Sequence, residues 1–422
     1  MPCPRIGAAA GCAAMAGIGV LVTSYPKLSE TFIAQEIRLL EEYGFPVEVF
    51  VRHASGETRT QSIVDEIVAP VVYLPRLPGG IRAFASGNLR AFTRQPLRYL
   101  GALGAALGRS VQLRDGTLWR FFEAGWLVGT RRIGRDGVTH LHAHFFQRTT
   151  RVAEQAARIA GVRFTVSAHA YDIYTQPPAV VRRLGAAADA VLTCTAANVR
   201  HLVQAIGLDP AKVHLVFHGV DTTRFQPRAA PVPGVAGTED APRFVTVGRL
   251  VPKKGLDDVL RALAKLACDF RFDIYGEGPL RGELEALVRE LGLEGQVRLH
   301  GAVLQEELVP ALRASAVYLC GSRETEDGNR DGIPNTVAEA MAVALPVIAT
   351  RVSGIPELVE DGVTGLLVEA NDPAAFATAL NRLVADPEES ERFGRAGRKR
   401  VEEVFETRTC FAACARLLER YR

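Results

Sequence analysis

The chain has 422 residues, 48% of them hydrophobic, which is ample apolar material for two cores and too much for one ordinary domain. Its 50 Lys and Arg against 47 Asp and Glu leave a net charge of +3, without the strong basic field of a general nucleic-acid binder, so no nucleic-acid partner is expected. Seven cysteines (Cys3, Cys12, Cys194, Cys268, Cys320, Cys410 and Cys414) show no paired metal-ligand spacing and suit a reducing compartment better than a disulfide framework.

No run approaches the roughly 18 apolar residues of a membrane-spanning helix. Near the N-terminus, Arg5 precedes a run of small residues and Ala10-Gly11-Cys12 faintly resembles a lipoprotein cleavage site. The run is mostly Ala and Gly and is too weakly apolar for a signal sequence, so a cytoplasmic location is expected. The first strand is expected at 18–23, just after Met15, which is an alternative start; residues 1–14 carry no fold argument. Ile33, Ile37 and Leu40 then recur at helical spacing until Gly44. Further strands are expected at 47–51, 139–142, 164–167, 190–194 and 213–217, alternating with helices, which defines an α/β domain over 15–225 with a parallel sheet.

Residues 226–242 are rich in Pro, Gly and Ala without periodicity and read as a linker. A second α/β domain over 243–395 carries strands expected at 244–247, 271–275, 297–299, 317–320 and 347–350, with helices at 256–266, 284–291 and 335–343 among them. Helices over 396–422 are expected to pack back toward the first domain. Ligands of such sheets bind at the carboxyl ends of strands, so the two domains should face each other across a cleft.

Three strand exits of the second domain carry suitable chemistry. Gly248-Arg249 to Lys253-Lys254-Gly255 places cations and flexible glycines at a strand-to-helix turn, which suits a diphosphate, although taken alone it reads better as a solvated basic turn. Gly276-Glu277-Gly278-Pro279-Leu280 allows close backbone approach and by itself is compatible with any tight turn. Asp331-Gly332-Ile333-Pro334-Asn335 opens a helix whose backbone N–H groups can hold a phosphate or sugar hydroxyls, with Glu339 one turn in as an acceptor for a ribose diol or, more plainly, as an exposed helical Glu.

These three segments, followed by Val352-Ser353-Gly354-Ile355-Pro356-Glu357-Leu358-Val359, occur in an order and spacing that resembles glycosyltransferase family 4. Ser24 to Phe32, His142-Ala143-His144-Phe145 and Ala168-His169-Ala170-Tyr171-Asp172 are similar to segments of the exopolysaccharide and colanic-acid transferases within it. The resemblance implies the GT-B fold, two facing Rossmann-like domains with a deep cleft, and retaining, metal-independent transfer of a hexosyl group from a nucleotide sugar to a glycan or lipid-linked saccharide acceptor, with no cofactor. It implies that Arg249 and Lys254 hold the donor diphosphate, that Gly276, Gly278, Gly332, Ile333, Pro334 and Asn335 line the donor site, that Glu339 holds the ribose and that Asp331 faces the transferred sugar. Asp331 stands where the commoner pattern has Glu, one methylene longer. His169 resembles the family's active-site histidine near the reacting carbon, and Ser29, Glu30 and Thr31 its loop for phosphate or acceptor, where Ser29 or Glu30 could equally cap the next helix. His142 and His144 share one face of a strand, yet with no carboxylate or cysteine cluster close in sequence no metal is expected.

Residues 76–135 carry eleven arginines (Arg76, Arg82, Arg90, Arg94, Arg98, Arg109, Arg114, Arg120, Arg131, Arg132 and Arg135) against Asp115 and Glu123, a balance of +9 that leaves the rest of the chain at −6. Phe84, Phe92, Leu97, Tyr99, Leu100, Trp119, Phe121, Phe122 and Trp126 are interleaved, as in helices that lie on anionic lipid at the inner face of a plasma membrane. A pair of ordinary helices with solvated arginine faces fits equally well. Other functions stay open at this level: a dinucleotide-dependent oxidoreductase, disfavoured because no Gly-x-Gly-x-x-Gly follows the first strand, a GT-B epimerase of nucleotide sugars, and a non-catalytic sugar-nucleotide sensor.

Overall fold

Continuous apolar runs such as Ile18 to Val22 mark strands covered on both faces, and in the computed structural model they build two parallel sheets. The structure describes residues 17–76, 78–113, 116–131, 133–134, 137–228 and 241–421. Most of the expected linker, residues 229–240, lies outside the described residues, as do Met15, Cys3, Cys12, Arg114, Arg132 and Arg135.

The first sheet contains β1 (Gly17–Tyr25), β2 (Val47–Ala54), β3 (Val71–Tyr73), β4 (Val138–His144), β5 (Arg163–Ala168), β6 (Ala190–Thr193) and β7 (Val213–Leu215), in the order β3-β2-β1-β4-β5-β6-β7. The second contains β8 (Arg243–Val247), β9 (Arg271–Tyr275), β10 (Val297–Gly301), β11 (Val317–Cys320), β12 (Val347–Thr350) and β13 (Leu366–Val368), in the order β10-β9-β8-β11-β12-β13. Strand order reverses between β1 and β4 and between β8 and β11, the points where a doubly wound sheet opens a crevice for ligands.

The chain returns to its first domain at the end. The helix Thr407–Glu419 delivers Phe411, Cys414, Leu417 and Leu418 onto the same core as Ile18, Val20, Ile37 and Leu40. Gln35 Nε2 donates to Thr407 Oγ1 at 2.7 Å, and Val220 pairs with Glu406, so the two domains are tied by a second crossing.

Between β3 and β4 the pair of helices expected from the sequence is instead three, Ile81–Arg94, Pro96–Leu113 and Thr117–Thr130. The interleaved aromatics do not form one outward stripe. Phe84, Tyr99, Phe121 and Trp126 are buried, with Tyr99 and Phe121 in edge contact at 4.9 Å, because rings at helical spacing can bury more area between helices than against water. Several of the arginines are also engaged inside the protein. Arg109 and Arg183 pair with the buried Glu154 at 2.7 and 2.9 Å, and Arg120 pairs with Glu123 at 2.6 Å.

Candidate active site

The exit of β8 runs through Gly248 and Arg249 into a short 3-10 turn, Pro252–Lys254, which Gly255 closes in a left-handed conformation at φ 55°. A Cβ on Gly255 would lie 2.0 Å from the carbonyl oxygen of Gly321, so this turn is pressed against the exit of β11. The contact brings Lys253 and Lys254 to Asp331: their Nζ atoms lie 3.0 Å from Oδ1 and 2.7 Å from Oδ2, and Ser322 Oγ donates to Oδ2 at 2.9 Å. Burial alone would raise the Asp331 carboxyl, but Lys254 and Lys253 outweigh it and hold the group ionised. Lys254 responds in kind: burial opposes its charge, and Asp331 more than restores it. A cavity at the β8/β11 switch, lined by Gly248, Lys254, Ser322 and Pro334, lies beside this cluster.

The helix Asn335–Ala342 starts immediately after this segment and carries Glu339 on a buried face, 5% exposed. Burial pushes the Glu339 carboxyl up to about 7, and the Gln305 amide, donating to Oε1 at 2.8 Å, only partly offsets this. Glu339 lines a small cavity with Asn335 and, from the first domain, Thr31, Gln35 and Arg38. It therefore faces the cleft and is not a solvent-exposed helical Glu.

Across the cleft stands a histidine cluster. His169 follows β5 and is fixed by Asp172, whose carboxylate accepts from the backbone N–H of His169 at 2.8 Å and of Phe146 at 2.6 Å. Its ring is packed by Phe145, Phe32 and His218 at centroid distances of 4.5, 4.8 and 5.2 Å, and Nε2 is buried with no hydrogen-bond partner among the described residues. Burial, then His218 and His144, hold the His169 imidazole well below its ordinary value, so it is neutral. His218, pushed down to about 4 chiefly by burial, reaches Asn335 Oδ1 from Nδ1 at 3.3 Å and so links the cluster to the helix bearing Glu339.

The candidates read from the sequence thus meet in one cleft, with particular exceptions. Lys254, Asp331, Asn335, Glu339, Thr31 and His169 line it, and Gly332 presses on the first domain, where a Cβ would lie 3.2 Å from Thr195 Cγ2. Ile333 and Pro334 lie between them, with Pro334 lining the β8/β11 cavity. Arg249 is exposed and makes no ion pair among the described residues. Gly276 and Gly278 serve the scaffold: a Cβ on either would strike the carbonyl oxygen of Gly248 at 1.9 Å or of Leu250 at 2.4 Å. Ser29 is exposed, and Glu30, at the N-cap position, makes no side-chain capping bond and pairs instead with Lys27 at 2.6 Å.

Sequence reasoning missed Glu36, His218, Ser322, Gln305 and the placement of Glu357. Of these, His218 and Ser322 had a local signal, since each lies just past a strand exit. Glu36 comes from the helix Thr31–Glu42 and supplies the carboxylate absent from the sequence neighbourhood of His142 and His144; the three donor atoms lie within 4.8 Å of one another, as do those of His169, Cys194 and His218. Glu357 crosses the cleft and accepts from the backbone N–H groups of Ala196 at 2.7 Å and Ala197 at 2.8 Å.

Two facing Rossmann-like domains, with charged residues at the second sheet's switch point, have the GT-B architecture. The backbone superimposes on Anabaena HepE, solved in complex with UDP and glucose, with a TM-score of 0.71 at 17% identity, covering 96% of this chain and 100% of that one. Sucrose-phosphate synthase from Thermosynechococcus elongatus gives a TM-score of 0.72 at 18% identity, with 96% and 98% covered. Residues 234–400 match the family described as Glycosyl transferases group 1. The chain is 28% identical over 418 residues to the colanic acid biosynthesis glycosyltransferase WcaL of Escherichia coli K12, covering 95% of this chain and 99% of WcaL. It is 35% identical to a GDP-mannose-dependent phosphatidylinositol monomannoside mannosyltransferase of Mycolicibacterium smegmatis, with 62% and 72% covered. The chain belongs to the group 1 glycosyltransferases and is a homologue of enzymes of exopolysaccharide biosynthesis.

Glu357 should act as the latch between domains. Replacing it with Gln removes the charge from two hydrogen bonds, each worth about 1.5–3 kcal/mol when charge-assisted, so amide exchange at Ala196 and Ala197 should accelerate roughly tenfold or more. Unchanged exchange rates at these two amides would show that the carboxylate does not hold the cleft.

Proposed function

We propose that this glycosyltransferase moves a hexosyl group from a nucleotide-sugar donor to a hydroxyl of a glycan or lipid-linked saccharide acceptor, with retention at the anomeric carbon and no metal at the diphosphate. The observation that carries the reading is the half-buried lysine pair held by Asp331 at the switch point, in one cleft with Glu339 and His169. The UDP and glucose bound to HepE, and the GDP-mannose dependence named for the mycobacterial relative, support a nucleoside diphosphate sugar as donor.

In this reading Lys254 and Arg249 hold the diphosphate, helped by the backbone N–H groups that begin the helix after Gly332, Ile333 and Pro334. Glu339 accepts hydrogen bonds from the ribose diol. His169 offers Nε2 to a hydroxyl of the transferred sugar, and Asp331 turns from the lysines to the same sugar once phosphate replaces it. The acceptor oxygen bonds to the anomeric carbon as the carbon–oxygen bond to the diphosphate breaks on the same face, and the acceptor proton passes to the departing phosphate oxygen. Lys254 and Arg249 stabilise the charge that develops there.

A second reading concerns location. Among the described residues no helix is long and apolar enough to cross a membrane. Ile81, Leu89, Phe92, Leu97 and Leu100 are nevertheless exposed, Leu97 at 84%, beside the exposed Arg82, Arg90, Arg94 and Arg98. This face suits a peripheral position on an anionic membrane at the cytoplasmic side, where a lipid-linked acceptor would be presented.

Arg249→Ala and Lys254→Ala should each lower turnover by roughly ten- to a thousandfold, with chelators having little effect. Strict dependence on an added divalent cation would refute the metal-free step. Because ribose hydroxyls favour the Glu339 carboxylate and burial holds the free group near 7, donor binding should release a proton, so affinity should rise between about pH 6 and about pH 8. Calorimetric titration should show that rise flattened in Glu339→Gln, and donor binding weakened with the fold intact in Glu339→Ala. In vesicle flotation, the protein should prefer anionic over neutral lipid in a salt-sensitive way, at about 1 kcal/mol per arginine; equal binding to both would mark Arg82, Arg90, Arg94 and Arg98 as a solvated face.

A further inference from the structure

We infer that Glu36 is a positioning residue of the transfer site, acting through His144 on His169. The inference rests on the reading of His169 as the group that meets the transferred sugar.

The helix Thr31–Glu42 places Phe32 and Glu36 one turn apart on the same face, and both enter the histidine cluster. Phe32 stacks on His218 at 4.6 Å with planes 8° apart and packs against His169. Glu36 Oε1 lies 2.9 Å from His142 Nε2 and 3.4 Å from His144 Nε2. His144, with its side chain fully buried, stacks parallel on His169 at 5.8 Å with planes 9° apart. Phe145, the next residue, sits at φ 69°, a conformation costly for a bulky side chain, and its ring meets His169 at 4.5 Å.

The two histidines that face Glu36 are held differently. His142 is fixed at both nitrogens, Nδ1 to Thr165 Oγ1 at 2.7 Å and Nε2 to Ser167 Oγ at 2.9 Å. Neither ring nitrogen of His144 makes a hydrogen bond of good geometry among the described residues, and the Glu36 carboxylate, 3.4 Å from Nε2, is the charged group that faces it. The remaining titratable neighbours are His169, His218 and Cys414, the last from the C-terminal helix. A carboxylate this deep is costly unless a facing proton compensates it, and His142 Nε2 and His144 Nε2 are the groups placed to do so. Glu36, His142 and His144 are also spaced to bridge a divalent transition metal. A metal would take His142 Nε2 from Ser167 altogether, whereas a protonated Nε2 can divide its N–H between Glu36 Oε1 and Ser167 Oγ, each at 2.9 Å.

Glu36→Gln keeps the size of the side chain and one acceptor oxygen while removing the charge. In the full chain it should leave the melting temperature and donor KM unchanged and lower kcat by roughly ten- to a hundredfold, since the donor is held by the other domain. The imidazole nitrogen resonances of His169 should shift in the same variant, a readout that stands even if wild type transfers no sugar from any donor tried. Glu36→Asp, which keeps the charge, should stay within a few-fold of wild-type kcat and covers the case in which the Gln variant fails to fold. The inference is overturned by an unchanged kcat with unmoved His169 resonances, by a change confined to donor KM, by a Glu36→Asp variant as impaired as Glu36→Gln, or by about one equivalent of zinc or iron in the purified protein that Glu36→Gln loses.

Discussion

Two lysines and a carboxylate share a nearly buried site at the exits of β8 and β11, and the chemistry of the cleft depends on how their charges are balanced. Lys253, Lys254 and Asp331 have side chains between 11% and 19% exposed, so each would be costly to bury alone. In the structure Asp331 compensates both lysines, with Ser322 completing its hydrogen bonding. A nucleoside diphosphate offers the lysines more negative charge than one carboxylate does. In the proposed function, binding of the donor is an exchange of partners that leaves Asp331 free to meet the transferred sugar. One cluster can thus explain both why the empty site is stable and why a carboxylate becomes available only when the donor is present.

The rest of the site is divided between domains, which makes its completion depend on how they meet. Asn335 reaches His218, Arg330 lies 4.0 Å over the ring of Tyr174, and Glu357 takes two amides of the first domain. Gly332 and Gly354 permit this approach, since a Cβ on Gly354 would come within 2.5 Å of Thr195 Cγ2. The second domain supplies the cations and Glu339, and the first supplies the histidine cluster. Such an arrangement keeps water from the reacting carbon only when both halves are in contact.

Much of this organisation was legible in the sequence because parallel strands and their exits leave local signals. Apolar runs located eleven strands, and the Gly and charged residues after β8 and β11 located the cation cluster. β3 and β13, three residues each, were missed; β7 is as short and also at an edge, but there the apolar pattern runs on through Val216 and Phe217. In the stretch 76–135 the sequence left the outward face open: helical periodicity does not say which face is covered, and the three helices bury Phe84, Tyr99, Phe121 and Trp126 against one another while Phe92, Leu97 and Leu100 stay exposed. His142 and His144 looked isolated because their carboxylate, Glu36, lies more than a hundred residues earlier and reaches them only once β4 lies beside β1. At Gly276 and Gly278 the structure adds a reason for glycine that the sequence could not show, backbone crowding within the sheet exits.

The exchange of partners at Lys254 is tested most directly by calorimetric binding of UDP and GDP to wild type and to Asp331→Asn. Removing the charge that competes for the lysines should tighten the binding of whichever nucleotide the wild type takes, while transfer from the corresponding sugar donor is lost. Weaker nucleotide binding in Asp331→Asn, or transfer at the wild-type rate, would contradict the account.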